Sequence, residues 1–397
     1  MTAPDQPSRS IGDISHRQAL EFVVLLGIVS LFADMTYEGA RSVTGPFLAA
    51  LGATGTAVGV VAGFGELIGY GFRLVSGLIS DRTRRYWAIT IAGYAINLMA
   101  VPLLALAGRW EVAAALMIAE RVGKAIRNPP RDAMLSHAAS RLGVGWAFGL
   151  HEALDQTGAV IGPLIVAVVL HARHRYQDSF AILLIPAALA LSVLIAARMH
   201  YPRPQELESA GPELRSAHWP RSFWLYLTAI GLVAAGYVDF PLIAYHFERT
   251  ATVPQNWIPI FYSVAMGIDA LAALLFGRLF DRVGPAILAP VILASSLFAP
   301  LTFLGGFKVA LLGMALWGIG MGAQESVMRA MVARMIPRDH RGSAYGLFNA
   351  IYGLAWFLGS ALLGALYDRS ILALIGFSVG AQFCAVPLLL HLPKQRQ

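Results

Sequence analysis

GLISDRTRR, from Gly77 to Arg85, is a short and strongly charged turn between two long apolar runs, and its first part returns 200 positions later as GRLFDR, from Gly277 to Arg282. Asp81 and Asp281 stand at the same place in the two copies. The match extends outward on both sides. AFGL at Ala147 to Leu150 aligns with AYGL at Ala344 to Leu347, and Gly162 falls opposite Gly359 at that same offset. Glu120 is similarly matched by Glu325, and Lys124 by Arg329. A repeat of this kind is a fold-level signal, because each copy must be a structural unit packed against the other.

The units themselves are read from hydropathy. The 397 residues are 57% hydrophobic and only 13% charged, against about 25% charged in a typical soluble domain. Apolar runs long enough to cross a hydrocarbon core, roughly 20 residues each, are expected at 19–44, 56–79, 87–107, 111–130, 144–170, 179–199, 222–247, 257–280, 286–306, 309–333, 343–366 and 370–392. That makes six per copy. Residues 1–199 form the first unit and 221–397 the second, joined by a hydrophilic linker at 200–220 with Pro202, Pro204, Pro212 and Pro220. The start of the chain has no cleavable apolar core of its own, so the first run reads as a retained helix rather than a signal peptide. Cys384 lies alone in the last run and reads as packing.

Orientation follows from the bases. Lys and Arg are retained on the cytoplasmic side of short loops, and most of the 30 fall on the side of Arg82, Arg84 and Arg85. The opposite loops hold only Arg109, Arg173, Arg175, Arg249, Lys308 and Arg369. Both termini are therefore expected in the cytoplasm, with the chain in the inner membrane. The net charge of +7 is explained by this asymmetry and does not call for nucleic acid.

The turn at Gly77, Asp81, Arg82, Arg84 and Arg85, with its weaker copy at Gly277, Asp281 and Arg282, resembles the signature of the major facilitator superfamily. It departs from the commoner pattern at Thr83 and Arg84, where an apolar residue and glycine are usual. The resemblance implies an all-α membrane protein of twelve transmembrane helices in two pseudo-symmetric six-helix bundles, with substrate held between them. It also implies that Asp81 latches the bundles on the cytoplasmic side, with the N-terminus of helix 11 as the expected partner, where the helix dipole favours a carboxylate. Gly149, Gly158, Gly162 and Pro163 in helix 5 resemble the superfamily's antiporter motif, associated with export coupled to proton entry; packing of small residues between helices is the other reading. SLFADMTYEGARSVTGPFL at Ser30 to Leu48 and ERVGKAIRNPPRDAM at Glu120 to Met134 resemble an uncharacterised prokaryotic branch of the superfamily.

Charges inside the runs point to the working parts, since each costs at least about 2.5 kcal/mol to insert at a helix centre. Asp34, Glu120, Glu152, Asp155 and His151 are the candidate proton-coupling residues. His151 and Asp155 share a helical face, and a carboxylate beside a histidine in low dielectric can exchange a proton near neutral pH. Glu38, Arg41, Glu66, Arg121, Lys124, Asp239 and Asp269 are candidates for the substrate cavity, with Tyr37, Tyr237, Trp317 and Tyr352 as stacking surfaces. Glu120 with Lys124 and Glu325 with Arg329 could instead neutralise one another at i, i+4, and Arg73 is expected to support the Asp81 turn.

These residues favour a secondary active transporter working by alternating access, with proton-coupled efflux of a small organic solute as the leading expectation and a proton-coupled uptake symporter as the alternative. HEALD at His151 to Asp155 begins like a zinc-protease helix but places an acid where the second histidine must stand, so no metal and no enzymatic role is expected. A non-transporting sensor is a remote third reading. The expected energy source is a proton gradient without any cofactor, and the expected partners are the substrate, protons and the bilayer, with the chain as a monomer.

Overall fold

The computed structural model describes residues 16–142, 144–202, 220–336 and 341–391. Twelve helical passes follow one another: α1 (His16–Ala50), α2 (Gly55–Thr83), α3 (Tyr86–Leu106), α4 (Trp110–Leu142), α5 (Val144–Arg173), α6 (Tyr176–His200), α7 (Arg221–Thr250), α8 (Ile258–Val283), α9 (Leu288–Leu304), α10 (307–335), α11 (Arg341–Arg369) and α12 (Ile371–Leu390). Ten are long and apolar enough to cross a membrane. The other two are α9, which is short, and α4, which is heavily charged. Most of the expected linker, at 203–219, lies outside the described residues, as do the side chains of Asp281 and Arg329.

The repeat is visible in how glycines pack. A Cβ at Gly162 on α5 would collide with the Met35 carbonyl of α1, and a Cβ at its counterpart Gly359 on α11 would collide with the Ala235 carbonyl of α7. In both halves, then, the fifth helix lies backbone to backbone on the first, which is the close approach that small residues permit in lipid. Gly158 approaches Leu31 in the same way. Gly149 touches nothing, so only part of the helix 5 motif is packing.

Two helices depart from the sequence expectation, one by continuing and one by breaking. α4 runs straight through Pro129 and Pro130 to Leu142, although a proline normally stops a helix by removing a donor. The Ile126 carbonyl, which Pro130 cannot reach, takes a hydrogen bond from Ser76 Oγ of α2 at 2.6 Å. That neighbour is what lets the helix continue. In α7 the break is real: Tyr237, Val238 and Asp239 are extended between Gly236 and Phe240. The Asp239 carboxylate caps the second segment by accepting from Phe240 N at 2.9 Å, Ser378 Oγ donates to the Gly236 carbonyl at 2.6 Å, and Trp317 Nε1 donates to the Val238 carbonyl at 3.0 Å. The unwound backbone is thereby satisfied inside the protein.

The bundles meet along three seams, α1 with α7 and α8, α2 with α11, and α5 with α8. Cys384 faces outward on α12, among exposed apolar residues such as Phe383 and Leu390, rather than being buried.

Candidate functional site

A charged cluster occupies the middle of the molecule. Arg41 of α1 reaches Asp239 at the break in α7 (2.7 Å) and Glu66 of α2 (3.5 Å). Arg121 of α4 pairs with Glu66 at 2.8 Å and lies 3.6 Å from Glu120. Lys124 sits 3.6 Å from the centre of the Tyr37 ring and 4.0 Å from Glu38. Tyr262 Oη of α8 donates to Glu38 at 2.5 Å, so two polar links, Arg41–Asp239 and Tyr262–Glu38, cross from one bundle to the other. The cluster borders a cavity of about 140 Å³ whose other wall is Gln324, Glu325, Tyr352 and Trp356. Tyr352 Oη donates to Gln324 at 3.0 Å, in a π turn at Gln324–Met328 that interrupts α10. Such π turns recur at functional sites.

Below this cluster lies a second polar layer, enclosed within the first bundle. Arg127 is fully buried, 3.5 Å from Asp34 and stacked on the Tyr94 ring at 4.3 Å. Arg131 Nη1 donates to Ser30 Oγ (3.2 Å), which in turn lies 3.2 Å from His151 Nε2. His151 therefore faces a hydroxyl and two arginines rather than the Asp155 carboxylate expected one turn along. Asp155 instead stands among Asp34, Arg131, Glu152 and Lys124, with its Oδ1 buried and without a hydrogen bond. Removing one partner of a buried pair such as Arg127–Asp34 leaves an uncompensated charge at a cost of about 3–5 kcal/mol.

Of the expected cavity residues, Tyr37, Glu38, Arg41, Glu66, Arg121, Lys124 and Tyr352 line it, and Asp239 meets it through Arg41. Tyr237 and Trp317 do not. Both are buried in the aromatic core of the second bundle, where Tyr237 Oη donates to the Trp317 carbonyl and the rings pack at 5.8 Å. Asp269 lies apart, wholly buried on α8 beside Glu325 and Glu152. Glu120 is held by Asn97 Nδ2 at 2.5 Å, and Lys124 makes its ion pair with Glu38, so the alternative of a direct i, i+4 pair between Glu120 and Lys124 is not formed. Arg73 borders the cavity and stacks on Tyr70 (5.4 Å) rather than supporting the Asp81 turn. Arg127, Arg131, Asn97, Ser30 and Tyr262 were not singled out by the sequence. Only Arg127 and Arg131 left a signal, since Glu120, Lys124, Arg127 and Arg131 fall at spacings of four, three and four, a single helical stripe.

The two ends of the α2–α11 seam differ. Near Gly55, Gly59 and Gly63 the helices touch: added Cβ atoms would strike Tyr367, Ser360 and Phe357 of α11. Asp368, at the end of α11, accepts from the Gly55 and Thr56 backbone N–H groups at 2.9 and 2.8 Å and caps α2. Tyr176 Oη donates to Glu248 at 2.8 Å and Tyr245 Oη to the Ala53 carbonyl at 3.0 Å, closing the same end between bundles. At the other end, Cβ atoms on Gly69, Gly71 and Gly346 would meet nothing within 4 Å. Asp81 is exposed and makes no ion pair among the described residues. Arg84, in the place where glycine is usual, takes the left-handed conformation with φ 54° and closes α2 through a hydrogen bond from its N–H to the Ser80 carbonyl at 2.8 Å.

Comparison with known proteins agrees with this architecture. The family model described as Major Facilitator Superfamily matches residues 26–360 and 239–394. An uncharacterised protein of Mycobacterium tuberculosis is 43% identical over 385 residues, covering 95% of this chain and 94% of its own length. An uncharacterised MFS-type transporter of Methanocaldococcus jannaschii is 25% identical over 368 residues, covering 90% and 91%. Among solved structures, a nucleoside transporter superposes with a TM-score of 0.77 at 14% identity, over 92% of this chain and 99% of that one. An inward-facing bacterial homologue of the human lysosomal transporter Spinster gives 0.66 at 13%, over 96% and 95%. At these identities the structural likeness speaks for the fold alone.

Proposed function

This chain belongs to the Major Facilitator Superfamily and is a membrane-embedded secondary transporter of a small molecule, and from that premise we propose that it exports a small organic solute in exchange for protons. The carrying observation is the pair Asp34 and Asp155. Asp155 has Asp34 as a charged neighbour inside the first bundle, and Asp155 Oδ1 is buried without a hydrogen bond. A site of that kind can take up and release a proton. Loss or gain of its charge is felt by Arg131 and Lys124 beside it, and Lys124 leads through Glu38 to Tyr262 of the other bundle.

Protonation is thereby linked to the seam between the bundles. Glu120, held by Asn97, has the more structural part in this scheme, and Glu152 lies on the path from Asp155 toward the second bundle. We place the Asp81 end in the cytoplasm, because the loops there carry the excess of bases. On that placement the open end faces inward. Membership of the family accords with a non-enzymatic role, and the chain is proposed to act as a monomer in the inner membrane.

The test begins with a thermal-shift screen of the purified protein against drugs, sugars, organic acids and siderophores, since a ligand of the folded state raises its apparent stability. The ligand found is then added to everted vesicles carrying an acid-inside gradient. Export by antiport predicts that its uptake dissipates the gradient. Entry into right-side-out vesicles together with protons would instead establish the symporter.

A further inference from the structure

The central cavity has two walls of different character. On the first bundle, Tyr37 gathers three bases: its hydroxyl accepts from Arg41 at 3.0 Å, Lys124 stands 3.6 Å from the ring centre and the Arg121 guanidinium 5.0 Å from it. On the second, Phe348, Tyr352 and Trp356 follow one another at spacings of four along α11, on one helical face. Adjacent rings of this stripe lie 5.6 Å apart, and all three border the cavity. Its volume of about 140 Å³ is close to the roughly 150 Å³ of a cavity in another protein that binds benzene. A single flat ring fits.

The polar atoms left over indicate what that ring carries. Arg41 Nε and the Trp356 indole N–H belong to residues that border the cavity, and both are buried without an acceptor. The Lys124 ammonium forms no hydrogen bond among the described residues; Glu38, at 4.0 Å, has its other oxygen taken by Tyr262. The acceptors are already occupied: Glu66 is shared by Arg41 and Arg121, and the Gln324 side-chain oxygen accepts from Tyr352. Arg73 and Glu325 add one charge of each sign. The surplus is therefore of donors. Since buried polar groups are normally hydrogen-bonded, a fitting ligand brings acceptor oxygens. A carboxylate does so with two oxygens and about four lone-pair sites and no donor of its own, and its charge strengthens the bond to an ammonium. A neutral amide would add donors to a wall that has too many, and an organic cation would stand against Arg41, Arg121 and Lys124.

We propose that the central cavity takes an aromatic monocarboxylate, its charge toward Lys124 on the Tyr37 ring and its own ring against the Phe348, Tyr352 and Trp356 stripe. This rests on the exporter reading above and names the class of solute exported.

The probe is benzoate, titrated into the purified full chain in lipid nanodiscs and followed by saturation-transfer NMR against empty nanodiscs, with benzamide and benzylamine as neutral and cationic controls of like size. The expected result is saturable binding of benzoate at least tenfold tighter than either control, weakened at least tenfold by Lys124→Gln and restored in part by Lys124→Arg. Trp356→Leu, which removes one ring of the stripe, should weaken it at least threefold. The comparison of the three probes uses the unaltered chain, so it decides even where a variant fails to fold. No saturable binding of benzoate, equal binding of the three probes, tighter binding of benzylamine, or benzoate binding unchanged in Lys124→Gln overturns the proposal. Proton-driven export of some other solute without benzoate binding would defeat this inference and leave the exporter standing. Benzoate binding without any proton-driven flux would defeat the exporter reading and leave the site.

Discussion

The two ends of the α2–α11 seam are built from the same parts and stand in opposite states. At one end the last residues of α11 meet the first residues of α2, and the Asp368 carboxylate caps two N–H groups there. At the other, the last turn of α2 carries Asp81, exposed and without an ion pair among the described residues. A carboxylate placed at a helix N-terminus is the device at the closed end, and we propose that Asp81 is the matching carboxylate at the open one. The difference between the ends is therefore one of engagement rather than of composition. This is what a transporter needs if closing one end is to open the other.

The largest way to break the comparison is steric. Gly59→Leu drives a side chain into the Ser360 carbonyl and Gly364, and overpacking of this kind costs about 1–3 kcal/mol. The closed end is expected to part, up to roughly a hundredfold in population, with maleimide labelling of a cysteine at the closed end as the readout; unchanged labelling would mean that the glycine contact does not hold the seam. A smaller push is electrostatic. Asp368→Asn removes the charge from the α2 N-terminus, about 0.3–1 kcal/mol, and should open that end several-fold, whereas Asp81→Asn should favour the present arrangement and slow transport. Asp281→Asn should do less than Asp81→Asn, since its turn lacks the Arg84 and Arg85 pair. The smallest effect is expected from Arg84→Gly. Relieving a left-handed non-glycine residue at φ 54° should raise thermal stability by no more than about 1 kcal/mol, read from a thermal melt.

Much of this arrangement was legible in the sequence, and the exceptions share a cause. The repeat marked Gly162 and Gly359 as equivalents, and each proved to be the contact between the fifth and first helices of its half. Asp34, Glu38 and Arg41 fall at spacings of four and three, on one helical face, although Asp34 turns inward to Arg127 while Glu38 and Arg41 meet the second bundle. What failed was inference through local signals that a distant residue overrides. Pro129 and Pro130 read as the end of α4, which leaves Arg131 beyond the expected span 111–130 and Arg127 in its last turn; Ser76, some 50 positions earlier, supplies the missing hydrogen bond and carries the helix on past both. The break in α7 was hidden because its free backbone groups are satisfied by Trp317 and Ser378. Tyr237 and Trp317 looked like stacking surfaces and serve that break instead.

The central claim, that charge at Asp155 governs which end of the seam is closed, is tested most directly by pulsed electron spin resonance on two label pairs in a Cys384→Ser background. Gly71→Cys with Gly346→Cys reports the open end, where both positions face empty space, and Ala50→Cys with Arg369→Cys reports the closed end, where both are exposed. Introducing Asp155→Asn to remove the charge should shorten the first distance and lengthen the second in the same sample. Distances that move together, or that do not move at all, would contradict the account.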